Sequence, residues 1–375
     1  MLGYCSNVHA ATTLEQVRTA LSTHAVAIRE RLGIDGNLPL GLWLPASALE
    51  SVRASGSSEL KGWLDARGLQ VFTINGFPFG DFHGDVVKHA VYQPDWTDSR
   101  RMEYTLTLAE LLADLIEPGR SGGVSTVPLG WGPAMDADAV TTAAGRLRSL
   151  AAELEMLEER TGRCIHVDIE PEPGCAIERL DGLATFFETH LLGGDDADRI
   201  RRYLRACVDC CHAAVMYEEF ADGLAALDDR GIGIGKVQVS NALDVDMTTD
   251  PEAARTALED FRDPRWLHQV MVRDESGTRF HEDLGLAMDA ESGGRWRIHF
   301  HVPVHVDRIG PLGTTQELLE DAINLLRSRG EPLDWEVETY AWSALPASLQ
   351  PDNLAEGIAS ELQWARSRLA DEGTR

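Results

Sequence analysis

Short apolar runs typical of β-strands alternate with longer segments of helical periodicity along the whole chain. Residues 138–162, for example, place apolar side chains three and four positions apart and end at a glycine, as helices commonly do. Thr12 and Glu15 have the spacing of a capping box at the start of an earlier helix. This order predicts repeated βα units rather than separate helical and sheet regions.

The predicted strands number nine and cover residues 2–9, 38–45, 70–76, 123–131, 164–173, 205–213, 236–243, 297–306 and 335–342. Strand, loop and helix repeat about eight times, which predicts an α/β fold of the (β/α)8 TIM-barrel type, with residues 1–375 as a single domain. An eight-stranded barrel leaves one strand over. Residues 244–296 are long for a barrel connection, so they predict an insertion, or lid, between late strands.

The charge balance excludes several classes of partner. Lys and Arg total 34 against 61 Asp and Glu, a formal net charge of −27, so the average surface repels nucleic acid and anionic lipid. No apolar run approaches the roughly 20 residues that span a bilayer. The start of the chain lacks the basic and apolar regions of a signal peptide, so we expect a cytoplasmic protein without direct membrane insertion.

Polar side chains at strand ends are the candidates for chemistry, because reactive groups of parallel barrels lie at the carboxyl ends of the strands. Glu170 stands where the run 164–173 breaks, and there it can bind a metal, move a proton or merely cap the next helix. Asp209 and His212 are three residues apart on a predicted strand-to-loop turn. Both could converge on one cation or on one substrate hydroxyl.

The last two predicted strands add imidazoles and a further carboxylate. His299, His301 and His305 have even spacing, so a regular strand would turn them to the same side. One of them is a candidate metal ligand and the others are candidate substrate contacts. Glu338, near the end of the last strand, would complete a carboxylate pair with Glu170.

Amide, imidazole and aromatic side chains follow the early strands. The candidates for substrate binding among them are Asn7, His9, Asn75, Phe79, His83 and Trp96. Such a mixture suits a polyol, which has polar edges and apolar ring faces. The alternative is an ordered aromatic loop that binds no ligand.

Several motifs, in order along nearly the whole chain, resemble the xylose-isomerase-like TIM-barrel superfamily. They read IEPEPG, VDCCH, KVQVSNAL, IHFHVPVH and VETYAW. This superfamily includes ketose epimerases, inosose dehydratase-type enzymes and the endonuclease IV family. More narrowly, YCSNVH, INGFPFGDFHG, VYQPDW and STVPLGW are similar to the EboE family, the metabolite traffic proteins of ebo gene clusters.

The resemblance implies a divalent metal, Mn, Mg, Co or Zn, at the barrel mouth, bound by Glu, Asp, His and Glu. Matched residue by residue, three of these ligands fall on Glu170, Asp209 and Glu338. The remaining ligand falls on Gln238, an amide in place of imidazole, or on a histidine of the strand 297–306, His301 or His299.

Three functions remain open from the sequence. The first is a metal-dependent sugar or cyclitol isomerase, epimerase or dehydratase, in which Glu170 or Glu338 moves the proton α to a carbonyl. The second is a phosphodiester hydrolase like endonuclease IV, against which the acidic charge counts. The third is a non-catalytic metabolite-binding protein, which the amide of Gln238 favours. The resemblance implies a small sugar-like substrate, with other ebo-cluster proteins as further partners.

Overall fold

The computed structural model describes residues 1–347 and 349–370, and eight parallel strands form its central closed barrel. The described residues form fourteen strands in all, eight in the barrel and six in a second sheet. In chain order they are β1 (Leu2–Cys5), β2 (Leu38–Trp43), β3 (Leu69–Asn75), β4 (Ser121–Thr126), β5 (Cys164–Ile169), β6 (Leu204–Asp209), β7 (Ile234–Val239), β8 (Asn241–Asp246), β9 (Val270–Asp274), β10 (Gly277–His281), β11 (Arg295–Val302), β12 (Arg308–Ile309), β13 (Leu312–Thr314) and β14 (Trp335–Val337). β1 to β7 follow one another around the barrel, and β14 closes it between β7 and β1. The predicted TIM barrel is confirmed.

Helices surround the barrel. They are α1 (Leu14–Ala20), α2 (Val26–Arg31), α3 (Ala46–Ser55), α4 (Ser57–Asp65), α5 (Ser99–Leu115), α6 (Ala137–Thr161), α7 (Leu180–Phe186), α8 (Ala197–Tyr203), α9 (Cys210–Val215), α10 (Phe220–Asp228), α11 (Pro251–Leu258), α12 (Leu284–Ala290), α13 (Gln316–Ser328) and α14 (Leu354–Leu369). The capping box of α1 lies one residue later than predicted. The Thr13 side chain accepts a hydrogen bond from the backbone N–H of Gln16, and the Gln16 side chain accepts one from the backbone N–H of Thr13. None of the helices among the described residues combines the length and apolar character needed to cross a bilayer.

The part of the chain between β7 and β14 forms a separate six-stranded antiparallel sheet, whose strand order is β10-β9-β11-β8-β13-β12. Its strand β11 contains most of the predicted strand 297–306, and β11 pairs with β8 and β9 instead of with barrel strands. The surplus strand therefore belongs to this added sheet, which runs from Asn241 to Thr314. The predicted strand 236–243 divides into β7 and β8, with Ser240 at the break.

The predicted strand 205–213 ends early. β6 stops at Asp209 and α9 begins at Cys210, because the Asp209 side chain accepts a hydrogen bond from the backbone N–H of His212 at 2.8 Å and so caps the helix. The turn after β6 thus leads into a helix rather than a loop. It brings His212 back over the barrel mouth.

Charged side chains fill the barrel beneath its mouth. Lys236 and Glu336 form a fully buried ion pair at 2.5 Å, and room for the carboxylate comes from a glycine on β2, which is separated from β14 by β1. A Cβ at Gly41 would lie 1.5 Å from Glu336 Oε1. A larger residue at position 41 would therefore displace this ion pair.

Candidate metal centre

Three carboxylates from separate barrel strands converge at the carboxyl-terminal mouth. Glu170 directly follows β5, Asp209 ends β6 and Glu338 directly follows β14, so the parallel register brings them to one level. One oxygen from each lies within 4.8 Å of an oxygen of the other two, although the residues are distant in sequence. Asp209 Oδ1 also accepts from Ser240 Oγ at 2.8 Å, which fixes the orientation of that carboxylate.

This cluster is electrostatically unfavourable without a cation. Burial, and then the neighbouring Glu338 and Asp209 carboxylates, raise the pKa of Glu170 well above its usual range. Burial and the Asp209 carboxylate likewise raise the pKa of Glu338. Glu170 Oε2 and Asp209 Oδ2 are buried and have no hydrogen-bond partner among the described residues. Buried oxygens without partners in an acidic cluster fit a divalent cation, which prefers such ligands.

Gln238 lies on β7 beside this cluster. Its Cα pairs in register with that of Asp209, and its side chain shares a face of β7 with Lys236, which reaches into the barrel. Both polar atoms of its amide are fully buried and without a partner in the described part of the chain. The amide oxygen could therefore serve as a further ligand of the same cation.

Two asparagines hold the Glu338 carboxylate. Asn7 Nδ2 donates to Glu338 Oε1 at 2.7 Å, and Asn75 Nδ2 donates to the same oxygen at 2.9 Å. The ring of His83 lies outside the cavity lining, but its Nε2 lies 2.6 Å from the backbone oxygen of Asn7 and so supports that residue. Glu338 is thus held firmly by amide donors, which leaves Glu170 the less constrained carboxylate.

Three imidazoles adjoin the carboxylates. His212 lies on α9, whereas His299 and His301 lie on β11 of the added sheet. The Nε2 atoms of His212 and His299 are 3.1 Å apart, and those of His299 and His301 are 3.2 Å apart. Burial lowers the pKa of His301 to about 4 and that of His299 well below its usual value, so both rings are neutral at pH 7.

The cavity above these groups has a volume of about 60 Å³ and two kinds of wall. Phe82, Trp266 and Tyr340 pack edge-on or tilted against one another and form an aromatic side. On the polar side, the Tyr92 hydroxyl donates to Glu172 Oε1 at 2.7 Å. The cavity therefore offers an apolar face and a polar face to one small ligand.

The cavity lining includes seven of the residues predicted from sequence. They are Asn7, Asn75, Glu170, His212, His299, His301 and Glu338. Asp209 adjoins them through the carboxylate cluster, and Gln238 lies behind it in the barrel. These side chains meet because each lies near the carboxyl end of a barrel strand or on the sheet that covers the mouth.

The other predicted residues lie outside the lining. They are His9, Phe79, His83, Trp96 and His305. Trp96 is fully buried and its Nε1 donates to Thr126 Oγ1 at 3.2 Å, as a packing residue would. The ring of His9 stacks on that of His24 at 4.8 Å.

Sequence reasoning did not select some lining residues. Glu172 is one of them, and it follows Glu170 by two positions in the EPEP motif. The repeated Glu-Pro pair could have indicated that Glu172 lies at the same strand end as Glu170. Lys88 and Phe82 lie in the loop after β3, where no local pattern distinguishes them. Trp266 lies in the predicted insertion, residues 244–296, and only the tertiary structure shows that it lines the cavity at the barrel mouth.

No family model matches the chain, and no curated protein matches it in sequence. Solved structures do match its fold over almost the full length. A xylose isomerase domain protein from Alicyclobacillus acidocaldarius subsp. acidocaldarius is 16% identical, with 98% of each chain covered and a TM-score of 0.50. The IOLI protein, solved with a bound zinc atom, is 12% identical, with 98% of this chain and 97% of that chain covered and a TM-score of 0.51. A D-tagatose 3-epimerase-like protein is 13% identical, with 98% and 96% covered and a TM-score of 0.50. The fold is that of xylose isomerase-like TIM barrels.

Proposed function

We propose that this protein is a divalent-metal-dependent isomerase or epimerase that moves a proton α to a carbonyl of a sugar or cyclitol. The observation that carries the proposal is the convergence of Glu170, Asp209 and Glu338 within 4.8 Å, beside a small cavity that Glu170 and Glu338 line. The matching folds of a D-tagatose 3-epimerase-like protein and of a zinc-containing protein support it. Dehydration of the same substrate class is a variant of this chemistry.

The carboxylates of Glu170, Asp209 and Glu338 would hold the ion, with the amide oxygen of Gln238 as a fourth ligand. A divalent ion supplies Lewis-acid polarisation of a substrate carbonyl and its adjacent hydroxyl. An oxygen-rich set of this kind leans toward Mn or Mg, although Co and Zn also bind carboxylates. Metal analysis decides among these ions.

Glu170 is assigned the proton transfer. Its Oε2 accepts no hydrogen bond from a described residue, whereas Glu338 Oε1 accepts two, so Glu170 has the lone pair available for a substrate proton. Glu170 therefore takes the proton from the substrate and returns it. Glu338 lines the same cavity and is the candidate second proton carrier.

The cavity walls account for recognition of a polyol. Trp266 and Tyr340 would cover the apolar face of the substrate, while Glu172, Tyr92 and His299 face its hydroxyl groups. Trp266 belongs to residues 244–296, so we also propose that this segment acts as a lid over the substrate. A role in metabolite traffic like that of the EboE family, with ebo-cluster partners and a cytoplasmic location, is part of the same proposal.

The hydrolase alternative finds less support at this site. Among the residues that line the cavity, Lys88 is the one with a permanent positive charge, and it is paired with Asp283 at 2.5 Å. A phosphodiester substrate needs several cationic contacts. The non-catalytic alternative predicts binding without turnover, which the following experiment detects.

The experiment combines metal analysis with isotope exchange. Protein purified without chelator is analysed for bound metal, then incubated in D2O with ketoses, aldoses and keto-cyclitols while proton NMR follows exchange at the carbon next to the carbonyl. We expect bound divalent metal and exchange that Glu170→Gln abolishes and Cys210→Ser retains. Bound metal without exchange of any substrate would favour the binding protein, and no bound divalent metal would overturn the proposal.

A further inference from the structure

The cavity lies at a seam between two segments at the barrel mouth. One side is the loop between β3 and α5, which contributes Phe82, Lys88 and Tyr92 to the cavity lining. The other side is the proposed lid, residues 244–296, which contributes Trp266. The cavity volume of about 60 Å³ is well below the roughly 300 to 1,000 Å³ of most small-molecule sites. Entry of a sugar-sized ligand therefore requires the two sides of the seam to separate.

Hydrogen bonds between neutral groups cross this seam. The backbone N–H groups of Val87 and Lys88 donate to the Arg265 backbone oxygen at 2.7 and 2.9 Å. Trp266 Nε1 donates to the Phe82 backbone oxygen at 2.9 Å. Water can take over each of these bonds when the seam opens, so their net resistance to opening is modest.

An ion pair crosses the seam beside these bonds. Lys88 Nζ lies 2.5 Å from Asp283 Oδ2, and the two side chains are 27% and 25% exposed. Asp283 Oδ1 accepts from the Leu284 N–H at 3.0 Å and so caps α12, which fixes the carboxylate within the lid. A more exposed contact, His89 Nε2 to Glu282 Oε2 at 3.6 Å, lies next to this pair. The Lys88–Asp283 pair is thus the closer and less exposed of the two charged contacts.

The backbone of Lys88 is strained. Its φ is +41°, in the left-handed region that residues other than glycine rarely adopt. Such a conformation persists only where surrounding contacts enforce it. Here the bond from the Lys88 N–H to Arg265 and the ion pair to Asp283 do so, and both cross the seam. Opening the seam would release this strain, which favours two discrete positions over a continuous range.

We propose that Lys88 and Asp283 form the latch of the lid. Their ion pair holds residues 82–92 against residues 265–283, and a ligand enters the cavity when this pair breaks. The inference rests on the proposed function only in taking this cavity as the substrate site. Loss of either charge should shift the lid toward its open position without altering the barrel.

Hydrogen exchange followed by mass spectrometry tests the latch in the full chain, without metal or substrate. In peptides that contain residues 82–92 and 262–268, we expect Asp283→Asn and Lys88→Met to exchange about 5-fold faster than wild type, as for loss of a partly exposed ion pair. Asparagine also caps helices, so Asp283→Asn retains the start of α12. Strands β5 and β6 should keep their wild-type protection.

Asp274→Asn is the matched control. Asp274 Oδ2 pairs with Arg279 Nη2 at 2.7 Å within the β9–β10 hairpin, at similar exposure, and this pair does not cross the seam. Exchange at residues 82–92 should therefore match that of wild type. Unchanged exchange in both Asp283→Asn and Lys88→Met, equal acceleration in the control, or acceleration that extends to β5 and β6 would overturn the inference.

The rate of metal extraction tests whether the seam is the route into the cavity. From protein loaded with Mn²⁺, we expect EDTA to remove the ion about 5-fold faster in Asp283→Asn than in wild type or Asp274→Asn. Equal extraction rates, together with faster hydrogen exchange, would show that the seam opens but is not the route, which also overturns the inference. A wild-type protein that binds no divalent metal would overturn the proposed function alone, and hydrogen exchange would then decide on the latch.

Discussion

The backbone oxygen of Glu338 accepts a hydrogen bond from His301 Nδ1 at 2.7 Å, while the Glu338 carboxylate belongs to the acidic cluster. One residue thus orients an imidazole through its main chain and offers a metal ligand through its side chain. Substitution of the side chain should leave the orientation of His301 intact. The roles of carboxylates and imidazoles can therefore be separated by mutation.

Glu338→Gln is expected to keep the fold and to lose activity. The amide retains most of the shape, but it removes a charged ligand and a proton carrier, for which a loss of about 10²- to 10⁴-fold is typical. The rate of isotope exchange and the thermal unfolding midpoint measure the two effects. Cys210→Ser is the control, since that thiol is assigned to packing; metal loss and unfolding in Cys210→Ser would reverse these assignments.

Removal of metal is expected to lower the thermal unfolding midpoint of the wild-type protein. Without a cation, the carboxylates of Glu170, Asp209 and Glu338 repel one another in a buried site, and a ligand that binds only the folded state stabilises it. Thermal scans with chelator, and then with excess Mn²⁺ or Zn²⁺, measure the change. The combined variant Glu170→Gln/Glu338→Gln should respond less, and an unchanged midpoint in wild type would contradict the assignment.

Glu361 should make stability depend on pH. Burial raises its pKa from 4.5 to about 7, although Thr339 Oγ1 and Trp342 Nε1 donate to its carboxylate. Because the folded state holds this proton more tightly, its contribution to the unfolding free energy is full below pH 4.5 and is lost as pH rises toward 7. The loss is on the order of 3 kcal/mol.

Urea unfolding of wild type and Glu361→Gln at several pH values between 4.5 and 8 tests this expectation. The variant cannot ionise at position 361, so its stability relative to wild type should rise with pH. Other titrating groups are common to both proteins and cancel in the difference. Parallel stability curves would show that Glu361 does not titrate in this range.

We expect no measurable binding to intact or abasic duplex DNA at physiological salt, even with metal present. The net charge of −27 opposes the phosphate contacts on which such binding depends. Fluorescence anisotropy with labelled duplexes at several salt concentrations measures binding. Micromolar, salt-sensitive binding with cleavage that requires Glu170 would instead establish the hydrolase.

The sequence by itself determined the repeated βα units and the positions of the strand-end carboxylates. Apolar periodicity is local, so the run 164–173 identifies β5 and places Glu170 at its end wherever the strand lies in the sheet. Parallel strands then bring their carboxyl ends to one mouth. The convergence of Glu170 with Glu338 followed from these two facts.

Only the tertiary structure decided which predicted strand lies outside the barrel and which imidazoles meet. The run 297–306 has the pattern of a buried strand, which fits the barrel and the added sheet equally well. Hydrogen bonds from β11 to β8 and β9 place it in the added sheet. The same pairing carries His299 over the barrel to within 3.1 Å of His212. Strand pairing joins residues distant in sequence through backbone groups that all residues share, so local side-chain patterns do not specify it.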